Sequence, residues 1–212
     1  MEEFLWKCDD PKAAFADAER RIEQAIKSGA TGLDLSGLGL TDLPESIGKL
    51  AGLLGLKLNE NQLTRLPEAI GALSELRDFR LRGNRLSVLP GSFRRLTQLQ
   101  TLGHSGNPLN ELPEFLTELT RLEVLWISNT CLRVLPDWIG RLAGLRELSV
   151  RNNQLRELPE SIRNLTKLKA LYLHGNPELH LPPEVLGLDP EQSGGTITNP
   201  SDILNYHFRV HT

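Results

Sequence analysis

At 212 residues with a formal net charge of −3, the chain is long enough for one or two domains and carries no charge excess suited to nucleic acid or an anionic membrane. Hydrophobic residues make up 39% and aromatics only 5%, so aliphatic side chains must build the core. Without a run of roughly 18 apolar residues, no membrane-spanning helix is expected.

The N-terminal stretch Met1-Glu2-Glu3-Phe4-Leu5-Trp6-Lys7 is acidic where a secretion signal needs basic residues, and its apolar part is short. A cytoplasmic chain is therefore expected. Cys8 and Cys131, far apart in sequence, read as two reduced thiols rather than a disulfide. On the same grounds the sequon Asn164-Leu165-Thr166 reads as chance. The spacing predicts an amphipathic helix over residues 10–29, with Asp10 as N-cap, Pro11 at the first helical position and Gly29 as the stop. Its stripe of Ala14, Phe15, Ala18, Ile22, Ala25 and Ile26 suits a lid, with Phe4, Leu5 and Trp6 adding to it; a partner-binding helix is the alternative.

From about residue 30 the chain repeats. The proline of a Leu-Pro pair recurs at Pro44, Pro67, Pro90, Pro113, Pro136, Pro159 and Pro182, each step being 23 residues. Asn61, Asn84, Asn107, Asn153 and Asn176 keep the same step, with Thr130 in the gap, as do Leu53, Leu76, Leu99, Leu122, Leu145 and Leu168. Together they spell Leu-x-x-Leu-x-Leu-x-x-Asn-x-Leu-x-x-Leu-Pro-x-x-Ile-x-x-Leu-x-x, most clearly over Leu145 to Lys167. Over residues 30–188 this resembles the leucine-rich-repeat family in its short form. The resemblance implies an α/β solenoid: a right-handed horseshoe of about seven coils with a parallel concave β-sheet and helical caps at both ends.

The physics agrees. Leu148 and Val150 are two apart and face one way from a strand, and one coil cannot bury its ring of leucines without stacked neighbours. Each Asn side chain can donate to and accept from peptide groups where the chain leaves the strand. Thr130 interrupts that ladder and the first coil has Leu38 in its place, so the fourth and first coils are expected to be weaker.

Past Val185 the pattern fades. Residues 189–198 read as a polar loop, and Asn199-Pro200 opens a short capping helix from Ser201 to Arg209 with Ile203, Leu204, His207 and Phe208 on one side. The expected organisation is a helical cap over 1–29, repeats over 30–188, and a loop and capping helix over 189–212 leading to a further domain. The lead-in Ala18-Glu19-Arg20-Arg21-Ile22-Glu23-Gln24-Ala25 before Gly29-Ala30-Thr31-Gly32-Leu33-Asp34-Leu35 is similar to that of bacterial Roco proteins. So is the exit, Leu181-Pro182-Pro183-Glu184-Val185 followed by Asn199-Pro200-Ser201-Asp202-Ile203-Leu204-Asn205-Tyr206. That resemblance implies a regulatory repeat domain working with GTPase and dimerisation modules. The phosphate-cradling G-x-x-x-x-G-K-S/T is absent, so this chain binds no GTP by that route. The alternative is a free-standing bacterial effector or the recognition arm of a ubiquitin ligase.

Residues flanking the strand leucines should face the concavity. The central column is Asp34, Lys57, Arg80, Gly103, Trp126, Ser149 and Tyr172; the next is Ser36, Asn59, Arg82, Ser105, Ser128, Arg151 and His174. Trp, Tyr and Arg dominate binding hot spots, so a protein-docking patch is expected at Trp126, with Arg80, Arg82, Arg151, Tyr172 and His174 around it. The competing reading pairs Arg80 and Arg82 with Asp78 and Glu60 and leaves Trp126 as cover for neighbouring strands.

His104 stands at a leucine position and is expected to be a buried neutral imidazole with one backbone partner, a pH switch being the alternative. Cys131 is expected to be partly buried. No metal, cofactor or catalytic residue is assigned: H-E-x-x-H, C-x-x-C and G-x-S-x-G are all missing, and the Glu residues after the Leu-Pro pairs lie on different coils. The concave arginines are too few, and too mixed with acids, for a nucleic-acid face.

Overall fold

The structure, a computed structural model, describes residues 10–187 and 198–210. Phe4, Leu5, Trp6, Cys8 and most of the loop expected over 189–198 lie outside the described residues.

Seven three-residue strands form one parallel sheet in sequence order: β1 (Gly32–Asp34), β2 (Gly55–Lys57), β3 (Asp78–Arg80), β4 (Thr101–Gly103), β5 (Val124–Trp126), β6 (Glu147–Ser149) and β7 (Ala170–Tyr172). Every strand residue pairs with the one 23 positions on, as Leu56 with Phe79 and Leu102 with Leu125. The ladder outlasts the strands: Leu81 N–H donates to Gly103 O at 2.6 Å and Gly83 N–H to Ser105 O at 2.9 Å. This is the α/β solenoid that the repeat predicts. We number the coils by their strands, so that coil 4 spans residues 99–121.

Opposite the sheet runs a row of five-residue 3-10 helices, each opening just after a Leu-Pro pair, as Glu45–Lys49 does after Pro44. Proline supplies the φ (Pro44 −58°, Pro113 −73°), and its carbonyl accepts the first helical bond, from Ile47 N–H in coil 1 at 3.1 Å. Ile47, Ile70, Phe93, Leu116, Ile139 and Ile162 point inward from this row and meet the strand leucines in a single continuous core. Three neighbouring pairs of these helices touch closely because Gly48, Gly71 and Gly140 lack side chains. A Cβ added at Gly71 would lie 2.6 Å from the Ser92 Cβ, and one at Gly140 would run into the Ser161 carbonyl. The equivalent positions in coils 3 and 4 are Arg94 and Thr117, and the next helices there carry Phe115 and Trp138, half-buried against the core.

The asparagines do what their chemistry demands. In Asn84, Oδ1 accepts Leu63 N–H of the preceding coil at 3.1 Å, while Nδ2 donates to Leu58 O of that coil and Leu81 O of its own, both at 2.9 Å. Asn61, Asn107, Asn153 and Asn176 repeat the pattern. Thr130, which falls in coil 5 and not in the fourth, does not leave a simple gap. Its hydroxyl donates to Ile127 O, and its N–H to Asn153 Oδ1, each at 3.0 Å.

At the start, α1 (Pro11–Ser28) is capped by Asp10, whose Oδ1 accepts Lys12 N–H, and is stopped by Gly29 at φ 64°. Ala14, Ala18, Ile22 and Ala25 cover the first coil. Phe15 and Ile26, expected in the same stripe, are 38% and 39% exposed, because they flank the contact line rather than lie on it. At the other end the helix Pro200–Val210 buries Pro200, Ile203, Leu204 and His207. His207 Nε2 accepts Leu158 N–H at 3.3 Å, tying this cap to coil 6.

Candidate protein-binding face

The register places Arg80, Gly103, Trp126, Ser149 and Tyr172 side by side on one face of the sheet. Two positions further along each strand direction stand Arg82, Ser105, Ser128, Arg151 and His174.

Much of that second column is committed to structure. A side-chain oxygen there accepts the peptide N–H of its counterpart one coil later: Ser36 from Asn59 (3.2 Å), Asn59 from Arg82 (2.9 Å), Ser105 from Ser128 (3.1 Å) and Ser128 from Arg151 (3.2 Å). Ser128 and Ser149 also share a buried hydroxyl–hydroxyl bond of 2.8 Å. The sequence signal for this second ladder was the recurrence of Ser and Asn at one phase of the repeat.

Trp126 is held on two sides. Its indole Nε1 donates to Glu147 Oε1 on the next strand at 2.7 Å, and the Arg80 guanidinium stands 5.6 Å from its ring centroid. Arg80 is itself anchored by Asp78 at 3.0 Å. Gly103 lies against the indole: a Cβ added there would meet Trp126 Cε3 at 3.4 Å, an ordinary contact. Glu147 was not singled out from the sequence, because what matters is a diagonal neighbour 21 residues away.

Both pairings of the competing reading are therefore present, since Arg82 also approaches Glu60 at 3.7 Å. With 73% and 66% side-chain exposure, that second pair is solvent-screened and holds its arginine only loosely. Arg80, Arg82, Trp126, Arg151 and Tyr172 line one recess of about 690 Å³. His174 does not line it; its Nε2 meets Gly187 O at 3.2 Å, turned toward the C-terminal side. Burial pushes the Tyr172 phenol up, Glu147 adds to the shift and Arg151 partly opposes it.

Two other expectations change. His104 is fully buried, but neither ring nitrogen has a hydrogen-bond partner among the described residues, so the expected backbone bond is not made. Burial brings its pKa down to about 4, against an opposing pull from its own peptide. Cys131 is exposed rather than partly buried, in a turn where its φ is 62°. Among the described residues no group of three or more His, Cys, Asp or Glu could hold a metal ion. The face offers rigid aromatic surface, cations and hydrogen-bonding groups, the means of recognition.

A family model for a leucine-rich repeat region matches residues 68–154, and one for the single leucine-rich repeat matches residues 144–165. The chain carries leucine-rich repeats. No curated protein matches it. Among solved structures, this leucine-rich-repeat chain is similar to the repeat domain of the type III effector XopL, at 29% identity and a TM-score of 0.70, over 78% of this chain and 59% of that one. It is also similar to the ectodomain of the Arabidopsis thaliana receptor kinase GASSHO1/SCHENGEN3 in complex with CASPARIAN STRIP INTEGRITY FACTOR 2 (33% identity, TM-score 0.59, 64% and 17% of the chains). A third is the Arabidopsis receptor kinase HAESA in complex with the peptide hormone IDA and the co-receptor SERK1 (29% identity, TM-score 0.53, 64% and 28%). The chain thus spans under two thirds of the length of each.

Proposed function

We propose that this chain is a protein-interaction module that holds a partner on its concave face, with Trp126 at the centre, Arg80, Arg82, Arg151 and Tyr172 as the surrounding contacts, and His174 outside the recess. The observation that carries this reading is the fixed indole: a large aromatic on a polar sheet, orientated before any partner arrives by Glu147 and Arg80. A side chain already held in place loses little entropy on binding, so more of its contact energy appears as affinity. Two of the similar structures carry a bound partner by their own description, which fits a binding role for such repeats. With a partner in hand, Trp126→Ala should weaken binding by about 2 kcal/mol or more in calorimetric titration. Unchanged affinity would retire the face as the docking site.

Within that role we favour a cytoplasmic regulatory repeat domain of a Roco-type GTPase, acting on GTPase and dimerisation modules. The lead-in now seen as α1 and the exit at Asn199-Pro200 support it. The second reading, a free-standing bacterial effector or recognition arm, draws on the likeness to XopL. The coding sequence beyond Thr212 decides between them: a G-x-x-x-x-G-K-S/T motif supports the first, while a stop codon or an unrelated catalytic domain defeats it.

A further inference from the structure

We infer that the solenoid contains one built-in joint, between coils 4 and 5, at which it opens before it unfolds elsewhere. Three independent features meet there. The first is the missing rung. In neighbouring coils an Asn Nδ2 reaches back to the strand-end carbonyl of the preceding coil, as Asn107 does to Leu81 O and Asn153 to Ile127 O. The matching carbonyl in coil 4 belongs to His104, and Thr130, at the corresponding place in coil 5, has no Nδ2 to reach it; His104 O is left with Asn107 of its own coil. Leu109 N–H, which an Asn at position 130 would have satisfied, turns instead to Asn107 O at 2.8 Å. Two side-chain links between coils are thereby replaced by links within one.

The second feature is the His104 ring, buried at the column position between Leu81 and Ile127 with no partner for either nitrogen among the described residues. Asp78, Arg80 and Arg82 on coil 3, Glu111 on its own coil, and Glu123 and Arg133 on coil 5 all stand at the surface, and none of them shifts it. The third is the outer row. The close glycine approach that lets helices touch at Gly71 and Gly140 is missing on both sides of coil 4, where Arg94 and Thr117 take the glycine position. Polar ladder, core and outer row are all weakened around coil 4, and the missing rung puts the joint on its coil 5 side.

The recess spans it. Gly103 and Ser105 of coil 4 and Trp126 of coil 5 all line it, and His104 N–H donates to Trp126 O at 2.7 Å. Opening the joint would draw Trp126 away from Gly103 and Arg80. This consequence for binding rests on the reading of the face given above; the joint itself does not.

Hydrogen exchange on the full chain, read by mass spectrometry without any partner, tests the joint alone. At pH 7, peptides covering 101–109 should exchange sooner than the equivalent 147–155. Thr130→Asn, which supplies the missing side chain, should slow exchange in 101–109 about tenfold, the worth of one or two hydrogen bonds. The ring, ordinarily titrating at 6.5 and held near 4 when buried, should make opening about 80-fold easier between pH 6.5 and pH 4, after correction for intrinsic exchange. His104→Leu should lack that dependence. Equal protection of 101–109 and 147–155 at both pH values overturns the joint. Early exchange that neither variant changes overturns its assigned cause.

Discussion

The residues that matter most here are those whose neighbours are chosen by stacking rather than by sequence adjacency. His104 is the plainest case. Its position at a leucine site announces burial, but only the structure shows that neither nitrogen has a partner among the described residues. An imidazole near 4 in the folded chain and about 6.5 when unfolded takes up its proton on unfolding. The wild type should therefore lose stability as pH falls from about 6.5 to about 4, and His104→Leu should not. At pH 7 the variant should melt at the same temperature or higher, because an unsatisfied buried polar group costs about 1–3 kcal/mol; a large fall in Tm would reveal an interaction of the ring that the burial account omits. The Trp126 substitution belongs to the same scale. The column containing Trp126 follows from the period alone. Its orientation does not, since Glu147 and Arg80 act through side-chain torsions that no pattern encodes.

At the scale of the element, each coil is a strand, an asparagine turn, a proline and a 3-10 helix, and these were legible because each serves a backbone need that recurs every 23 residues. Removing one rung should show what that need is worth. Asn84→Ala leaves Leu63 N–H, Leu58 O and Leu81 O short of a partner, and should lower stability by about 1–3 kcal/mol, a fall of several degrees in Tm by calorimetry. The outer row was harder to foresee. A glycine in a repeat looks like a tolerated blank until its neighbour is known: the Gly48, Gly71 and Gly140 sites are close approaches, whereas Gly91 faces open space. Gly71→Ala should thus cost about 1–3 kcal/mol through overpacking, while Gly91→Ala, at the start of its 3-10 helix, should be neutral or mildly stabilising. Chemical denaturation of the two variants side by side separates them.

For the whole molecule, the ends carry a burden that the middle coils share. The lid α1 was legible from Asp10, Pro11 and Gly29, which mark its limits, and from the stripe through Ala14, Ala18, Ile22 and Ala25. An uncompensated charge on that stripe, as in Ile22→Asp, should expose the first coil and drive the chain into aggregates on size-exclusion chromatography with light scattering. The far cap was legible only in part: Ile203 and Leu204 signal a buried side, but the bond from Leu158 N–H to His207 spans 49 residues and belongs to no period. The pairing of every strand residue with its counterpart 23 positions on has a genetic corollary. Loss or duplication of one 23-codon block between coils joins like to like, so a coding sequence can lengthen or shorten by whole turns without a frame of contacts being broken. What changes is the order in which Arg80, Gly103 and Trp126 follow one another across the sheet, so new faces can arise by copying as readily as by point substitution.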